Sequence, residues 1–225
     1  TKKLPKTSAP SVTEFVEEFQ RKPGDILCIT IGSKISATYQ NACIAAQSIT
    51  DRKVVILDSA NLSTGIGLLV CRAAELRDEG KDLEQIKSEI EALIPKVRTA
   101  FIIDTLDYLY MGGRCSTMEN VVGSLLKIRP VIEVRQDGTL GVREKIRGSR
   151  KKSLDALLTS LSSIADSIDP SRIFITHASC DEESVVLAED LKKSIAVKEL
   201  HITRAGATVS SHCGPGTVGI IYALK

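Results

Sequence analysis

The chain of 225 residues has no tryptophan, and aromatic residues make up only 4% of it. Its 30 basic and 28 acidic side chains leave a formal net charge of only +2. Proteins that bind single-stranded nucleic acid use aromatic platforms for stacking, and nucleic-acid binding in general uses an excess of positive charge. The composition therefore argues against nucleic acid as a partner.

Closely spaced cysteines and long apolar segments are also missing. The six cysteines are far apart, at positions 28, 43, 71, 115, 180 and 213, so none form a zinc knuckle. We interpret them as small buried hydrophobic residues in a reducing compartment. No run approaches the ~18 apolar residues of a membrane span, and the start, TKKLPKTSAP, has no signal-peptide core. We expect a soluble, cytoplasmic protein; the missing initiator Met leaves open that the chain is a fragment.

Three common catalytic or nucleotide-binding signatures are absent. The sequence has no GxxxxGK[ST] phosphate loop and no GxSxG serine-hydrolase elbow. Gly65-Ile66-Gly67 is half of a dinucleotide fingerprint, but Val70 stands where the third glycine belongs. These two glycines lie in an apolar helical pattern, which favours close helix packing as their role.

The first 97 residues predict a parallel α/β/α domain. Ser11 followed by Glu14 is a capping box, so a helix begins there. Two almost wholly apolar runs predict strands that are covered on both faces. In chain order, the predicted elements are a helix from Ser11, a strand over GDILCITI, a helix over 37–50, a strand over KVVILDS, and helices over 61–80 and 82–97.

Residues 98–225 predict a second α/β domain with a six-stranded mixed sheet covered by helices. Gln136-Asp137-Gly138 is a hairpin turn signal between two of the strands. Helices are predicted in the stretch that ends at Lys127, over 152–168 and over 182–195. The six strands are AFIID, PVIEV, GVREKI, RIFITHA, KELHIT and GTVGIIYAL.

Four polar clusters carry the chemistry that the chain offers. The second of them follows an apolar strand and precedes a helix, and a helix N-terminus favours anions. Hydroxyl, guanidinium and imidazole groups together suit a carboxylate or a phosphate. Each cluster has an equally simple structural interpretation as a cap, a turn or a helix end. The clusters are Thr7–Ser11, Ser33–Thr38, Gly112–Arg114 and Ser210–Gly216.

Seven segments in series resemble the DegV family of bacterial fatty-acid-binding proteins, and together they span essentially the whole chain. The resemblance implies two α/β domains that enclose a long-chain fatty acid, with no further cofactor and no metal. Some members of this family are carrier subunits whose bound carboxylate is phosphorylated by a separate ATP-binding kinase. The segments are TSAPSVTEF, IGSKISATYQNA, VVILDSANLSTGIGLLV, DTLDYLYMGGR, VGSLLKIRPVIEV, EKIRGSRKK and SSHCGPGTVGI.

The resemblance also assigns residues to the ligand. Thr7 and Ser33 would hold the carboxylate, and Arg114, Arg147 and His212 would surround the headgroup. Apolar residues beside these loops would line the acyl tail, although each of them is equally compatible with a plain core position. The tail candidates are Ile35, Leu62, Ile66, Leu69 and Leu125.

The chain departs from the family pattern in three places. Ala9 replaces a usual Gln and Gly32 a usual Ser, and both changes affect hydrogen bonding near the headgroup. The family also has a segment before TSAP that contains a first strand and an Asp-Ser pair. We therefore expect either that the numbered chain is a fragment or that its first domain lacks an edge of the sheet.

A basic run spans the end of the fifth strand and the start of the helix after it. It comprises Lys145, Arg147, Arg150, Lys151 and Lys152. The run is compatible with a solvated strand end and helix start. The alternative is a patch that meets an acidic partner or an incoming phosphate.

Two other functions are compatible with the residues. The first is an acyl hydrolase that acts alone, with Ser33 as nucleophile and His212 as base. The second is a sugar- or phosphate-handling module that shares only the α/β layout. The expected function is a carrier that binds a long-chain fatty acid and presents its carboxylate to a kinase.

Overall fold

The structure is a computed structural model that describes residues 5–21, 23–114 and 128–225. The chain divides into two compact units. The first unit comprises Ser8–Lys96 together with Gln136–Thr139. The second comprises the described residues of Thr1–Thr7, Val97–Arg135 and Leu140–Lys225.

The first unit is a three-layer α/β/α arrangement around two parallel strands. Strands β1 and β2 pair in register from Ile26↔Val54 to Thr30↔Asp58, which confirms the predicted parallel pairing. The elements are α1 (Val12–Gln20), β1 (Ile26–Thr30), α2 (Thr38–Ala46), β2 (Val54–Asp58), α3 (Thr64–Asp78) and α4 (Leu83–Leu93).

Alternation along the two strands sends side chains to both helix layers. On one face, Ile26 and Cys28 of β1 pack with Phe19 of α1 and Ala45 of α2. On the other face, Leu27 and its neighbours line a groove of about 530 Å³ with side chains of α3 and α4. Only Thr30 of β1 and Leu57 of β2 are buried and the other strand residues are half-buried, so the predicted covering of both faces is incomplete.

Local signals set the helix ends in this unit. The Ser11 hydroxyl accepts the Glu14 amide at 3.2 Å while the Glu14 carboxylate accepts the Ser11 amide at 2.7 Å, so the predicted capping box is confirmed. Asp82 and Gln85 form a second box at the start of α4. Helix α3 is terminated by Gly80, two residues beyond its last residue Asp78, with a φ of +82° that glycine adopts without strain.

The second unit contains the predicted six-stranded mixed sheet, which is confirmed, with the strand order β5-β4-β3-β8-β6-β7. Its core lies on the face covered by α6 and α7, where Leu157, Ile175 and Leu191 are fully buried. The elements are β3 (Val97–Ile102), α5 (Asp107–Met111), β4 (Ile128–Val134), β5 (Leu140–Arg147), α6 (Arg150–Ser162), β6 (Arg172–Ala178), α7 (Asp181–Ser194), β7 (Glu199–Arg204), α8 (Ala207–Cys213) and β8 (Thr217–Ala223).

Strand direction brings the loops of this unit to one edge. Strand β3 is antiparallel to both of its neighbours, β4 and β8. Strand β5 is antiparallel to β4, β6 is antiparallel to β8, and β7 is parallel to β6. Strands β3, β5, β6 and β7 therefore all run in the same direction. Their carboxyl ends therefore share one edge of the sheet, which is where open α/β sheets bind ligands. Helices α5 and α8 lie at this edge, since each follows a carboxyl end.

Two outcomes differ from the predictions or leave them open. Helix α8 is not among the predicted elements, since the Gly-Pro-Gly segment at 214–216 predicts only a turn before the last strand. The helical stretch predicted up to Lys127 lies outside the described residues. Within the described residues, no helix is both long enough and apolar enough to cross a bilayer.

The described cysteines are free thiols; Cys180 and Cys213 are buried as predicted, whereas Cys28, Cys43 and Cys71 are only half-buried. Burial raises the pKa of the Cys213 thiol to about 12. Burial, together with the nearby Cys43, raises the pKa of Cys28 to about 11. Both thiols are therefore neutral and behave as small apolar side chains.

Candidate functional site

Two of the predicted headgroup residues, Thr7 and His212, meet in the second unit. The Thr7 hydroxyl oxygen lies 2.7 Å from Nε2 of His212, although 205 positions separate them in the chain. Both side chains are half-buried. A hydroxyl paired with an imidazole at the carboxyl edge of the sheet is suited to donating a hydrogen bond to an anion.

The backbone of the GGR segment forms one wall around the His212 ring. A Cβ atom built on Gly112 would overlap Nδ1 of His212 and lie 2.7 Å from its Cε1. Arg114 donates from Nη1 to the Gly112 carbonyl oxygen at 2.6 Å. Gly113, with φ at +70°, ends helix α5, as the structural interpretation of this cluster predicted. The structure thus brings Thr7, Arg114 and His212 together.

The environment of His212 disfavours the charged form of its ring. Burial lowers the pKa of the imidazole, and the positive charge of Arg114 lowers it further. Its Nδ1 atom is buried and has no hydrogen-bond partner among the residues that the structure describes. A neutral imidazole here offers one donor and one acceptor rather than a fixed charge.

The lowered pKa of His212 predicts a pH dependence of stability. An unfolded histidine titrates near about pH 6.5, so as the pH falls it binds a proton before the folded one does. The wild type should therefore have a larger free energy of unfolding than His212→Gln at about pH 7.5, and this difference should decrease as the pH is lowered to about 5.5.

Urea unfolding at several pH values measures this advantage. His201→Gln removes an exposed imidazole of the same unit and is the control for loss of the ring. An advantage of the wild type over His212→Gln that grows as the pH falls would mean that the folded state does not disfavour the charged ring.

A second cluster at the same edge is a charged network centred on Arg150. Its Nη1 donates to Asp104 at 2.9 Å, and its Nε donates to Glu183 at 2.7 Å. Its Nη2 lies 3.2 Å from the Cys180 sulfur. Arg129 also donates to Asp104, at 3.3 Å. These bonds tie together the loops that follow β3, β5 and β6 and the start of β4.

The basic run is consequently divided into two parts. Arg150 has only 18% of its side chain exposed and belongs to the network just described. Lys145, Lys151 and Lys152 are exposed. Arg147 is exposed too, at the end of β5 and opposite Ile128 in the sheet register. The exposed part of the run is therefore available to solvent or to a partner.

The loop that carries Ser33 lies in the first unit, and its backbone donates hydrogen bonds to the carboxylate of Asp58. The Asp58 carboxylate accepts the backbone amides of Ser33, at 3.1 and 3.2 Å, and of Ala60, at 2.9 Å. The Ser33 side chain is exposed, and its hydroxyl makes no hydrogen bond to the described residues. Of the donors on Ser33, only the hydroxyl therefore remains for a ligand.

The other two hydroxyls of this loop are structural. Ser36 and Thr38 share a hydrogen bond of 2.8 Å between their hydroxyl groups. The Ser36 oxygen also accepts the Thr38 amide at 3.3 Å, at the first turn of α2. A Cβ built on Gly32, which stands where a serine was expected, would lie 3.1 Å from the Asn61 amide nitrogen. Glycine thus permits the close approach of the two loops.

The predicted tail residues differ in accessibility. Ile35 and Ile66 are half-buried, and Leu62 is 8% exposed. Leu69 has none of its surface accessible to solvent, as in a core position. Leu125 lies outside the described residues.

Several residues that shape these sites had no signal in the sequence analysis. Asp58 ends an apolar strand, and the strand pattern gives it no further role. Asp104 and Glu183 are 46 and 33 positions from Arg150, so local patterns do not connect them. Gly112 has ordinary backbone angles, with φ at −77° and ψ at −6°, so only the close approach of His212 explains its identity.

The family model described as "Uncharacterised protein, DegV family" matches residues 1–225. The chain belongs to the DegV family. The resemblance seen in the sequence is thereby confirmed. A DegV domain-containing protein of Clostridium perfringens is 34% identical over 226 residues, which span 97% of this chain and 77% of that protein.

Solved DegV structures share the fold. A DegV family protein from Thermus thermophilus, described by its fatty acid binding, is 30% identical with a TM-score of 0.90, over 98% of this chain and 79% of that one. The fatty acid kinase (Fak) B3 protein of Streptococcus pneumoniae, loaded with linoleic acid, is 25% identical with a TM-score of 0.89, over 100% of this chain and 80% of that one.

Proposed function

We propose that this chain binds one long-chain fatty acid and presents its carboxylate to a partner kinase, which forms the acyl phosphate in the cytoplasm. The observation that carries the proposal is the pair of Thr7 and His212 beside Arg114, in a chain whose solved relatives include fatty-acid-binding DegV proteins. The kinase step is supported by the likeness to the fatty acid kinase B3 protein. The enclosure of the ligand by two domains stays a prediction.

The residues divide into two roles in this proposal. Thr7 and Ser33 donate hydroxyl hydrogen bonds to the carboxylate, and each such bond to a charged acceptor is worth about 1.5–3 kcal/mol. Arg114, Arg147 and His212 surround the headgroup and act when a phosphoryl group arrives. The exposed Ser33 hydroxyl and the Thr7–His212 hydrogen bond support this division.

Apolar contacts supply most of the affinity. Burying an alkyl tail contributes roughly 0.8 kcal/mol per methylene before ordering costs, so a long tail outweighs the few head donors. The proposed tail contacts are Ile35, Leu62, Ile66, Leu69 and Leu125. Fatty acid is the ligand, and no metal or other cofactor is part of the proposal.

The hydrolase alternative would need an imidazole nitrogen that is open to Ser33. In the second unit, Nε2 of His212 is already bonded to Thr7, and Nδ1 is buried against Gly112. Both ring nitrogens are therefore occupied or covered. This environment favours the carrier over a general base that acts on Ser33.

The proposal is tested by comparing a fatty acid with a fatty alcohol of equal length. Thr7→Val and Ser33→Ala should each weaken binding of the acid by about 1.5–3 kcal/mol, because each change removes a donor to a charged group. Binding of the alcohol should change much less. Calorimetric titration measures both ligands.

Ser8→Ala is the matched control for these variants, because Ser8 is an exposed neighbour of Thr7. Its affinities for the acid and for the alcohol should equal those of the wild type. Equal sensitivity of acid and alcohol to Thr7→Val and Ser33→Ala would show that the hydroxyls do not face the carboxylate.

A further inference from the structure

The ring of His212 is held in an unusual way. A functional imidazole is commonly oriented by a hydrogen bond from its second nitrogen to a carboxylate or a carbonyl. Here Nδ1 is buried with no hydrogen-bond partner in the described part of the chain. The nitrogen lies in the space that a Cβ of residue 112 would take, since a Cβ built on Gly112 would overlap it.

The backbone conformation at position 112 does not require a glycine. Its φ of −77° and ψ of −6° are accessible to any residue, in contrast to Gly113 with φ at +70°. A Cβ at Gly112 would lie 2.7 Å from Cε1 of His212 and 3.1 Å from the Tyr108 carbonyl oxygen. Cε1 belongs to a rigid ring, so it could avoid this Cβ only if the whole imidazole turned. The missing Cβ of Gly112 therefore leaves the space that the His212 ring occupies.

The peptide of Gly112 is fixed on both sides. Its amide donates to the Tyr108 carbonyl oxygen at 2.9 Å. Its own carbonyl oxygen accepts Nη1 of Arg114 at 2.6 Å. The surface that His212 meets is therefore a rigid one, held by helix α5 and by the arginine of the same segment.

We propose that Gly112 is the positioning residue of His212 and that it selects the tautomer protonated at Nε2. An unpaired buried lone pair on Nδ1 costs less than an unpaired buried N–H donor, because orphaned donors are the rarer case in proteins. The Nε2 proton is then donated to the Thr7 oxygen. Thr7 in turn has its own proton free to donate to an anionic ligand, which rests on the proposed function.

The tautomer and the Gly112 contact are tested by NMR of imidazole nitrogens without any ligand. The chain has three histidines, so His212→Asn assigns the signal. The wild type should show His212 protonated at Nε2 alone. In Gly112→Ala the displaced ring should show a mixture of tautomers and a raised pKa. Gly206→Ala is the control, because a Cβ there meets nothing within 4 Å.

A kinetic arm uses the partner kinase with fatty-acid-loaded protein. Gly112→Ala should lower the partner-dependent rate about ten- to a hundredfold, as a misplaced reacting group does. In a His212→Ala background the same change should alter the rate less than about twofold, because no ring remains to be misplaced. An equal loss in both backgrounds would overturn the proposal. So would an unchanged wild-type tautomer in Gly112→Ala.

If Gly112→Ala fails to fold, the variant Gly112→Ala/His212→Asn decides. Recovery of folding by the shorter side chain would place the conflict at the ring and support the proposal. Failure of the double variant to fold would overturn it. Because the NMR arm needs no fatty acid, it distinguishes an error about Gly112 from an error about the ligand.

Discussion

The partner-dependent rate of phosphoryl transfer to the bound fatty acid is expected to fall by at least about 10²-fold in His212→Ala, the low end for a positioned acid–base or electrostatic group. The affinity for the fatty acid itself should stay within about 1 kcal/mol of the wild type, the scale of one neutral hydrogen bond. The ring orients Thr7 and lies beside Arg114. Its contribution therefore grows when a phosphoryl group adds charge at the headgroup.

Steady-state kinetics with increasing carrier concentration separates this effect from a docking defect. A docking defect is overcome by more carrier, whereas a transition-state defect lowers the maximal rate. His201→Ala, which removes an exposed imidazole of the same unit, is the matched control. A normal maximal rate for His212→Ala would contradict the prediction and would mean that His212 only packs against Gly112 at the end of helix α8.

Loss of Arg150 is expected to cost about 1–2 kcal/mol of unfolding free energy, because its guanidinium is mostly buried and Glu183 loses its bonds to this cation, while Asp104 keeps its bond from Arg129. Arg150→Met deletes the bonds to Asp104 and Glu183 and leaves these two acids without their shared cation. Both carboxylates are partly exposed, so water limits the loss to less than that of a fully buried pair.

Urea unfolding compares Arg150→Met with Lys151→Met, its exposed neighbour on α6, which should change stability by no more than about 0.5 kcal/mol. Arg150→Lys should recover only part of the loss, because an ammonium group cannot match the planar fork that reaches both acids. Equal stability of the Met variants at the two positions would show that the network contributes nothing measurable.

The elements with strong local signals were predictable from the sequence. The capping box of Ser11 and Glu14, the two apolar parallel strands and the hairpin turn around Gly138 all depend on neighbouring residues, and the structure contains each of them. The six strands of the second unit were also found from their β-branched apolar runs.

Helix α8 was missed for a physical reason. Its residues, ATVSSHC, include several with low helix propensity, and a Gly-Pro-Gly turn follows them. The helix is short and packs against α5, where Gly214 leaves room for the Tyr108 ring. Tertiary contacts therefore decide its formation, and no local pattern in the sequence reports them.

The candidate sites were only partly predictable for the same reason. Thr7 and His212 were selected through the family resemblance, and their contact spans 205 positions. The loop of Ser33 was expected to offer a helix N-terminus to an anion, yet Asp58 of the next strand already accepts the Ser33 amide. The roles assigned to Arg147 and to the tail residues stay predictions.

Ligand identification tests the central claim most directly. The full gene product is purified from a bacterial host, extracted under denaturing conditions, and the extract is analysed by mass spectrometry against the amount of protein. If the chain binds fatty acid, the extract should contain about one long-chain fatty acid per chain. Delipidated protein should also take up oleate or palmitate in calorimetry, because burial of the tail contributes several kcal/mol. A protein that carries no fatty acid and takes up neither ligand would contradict the account.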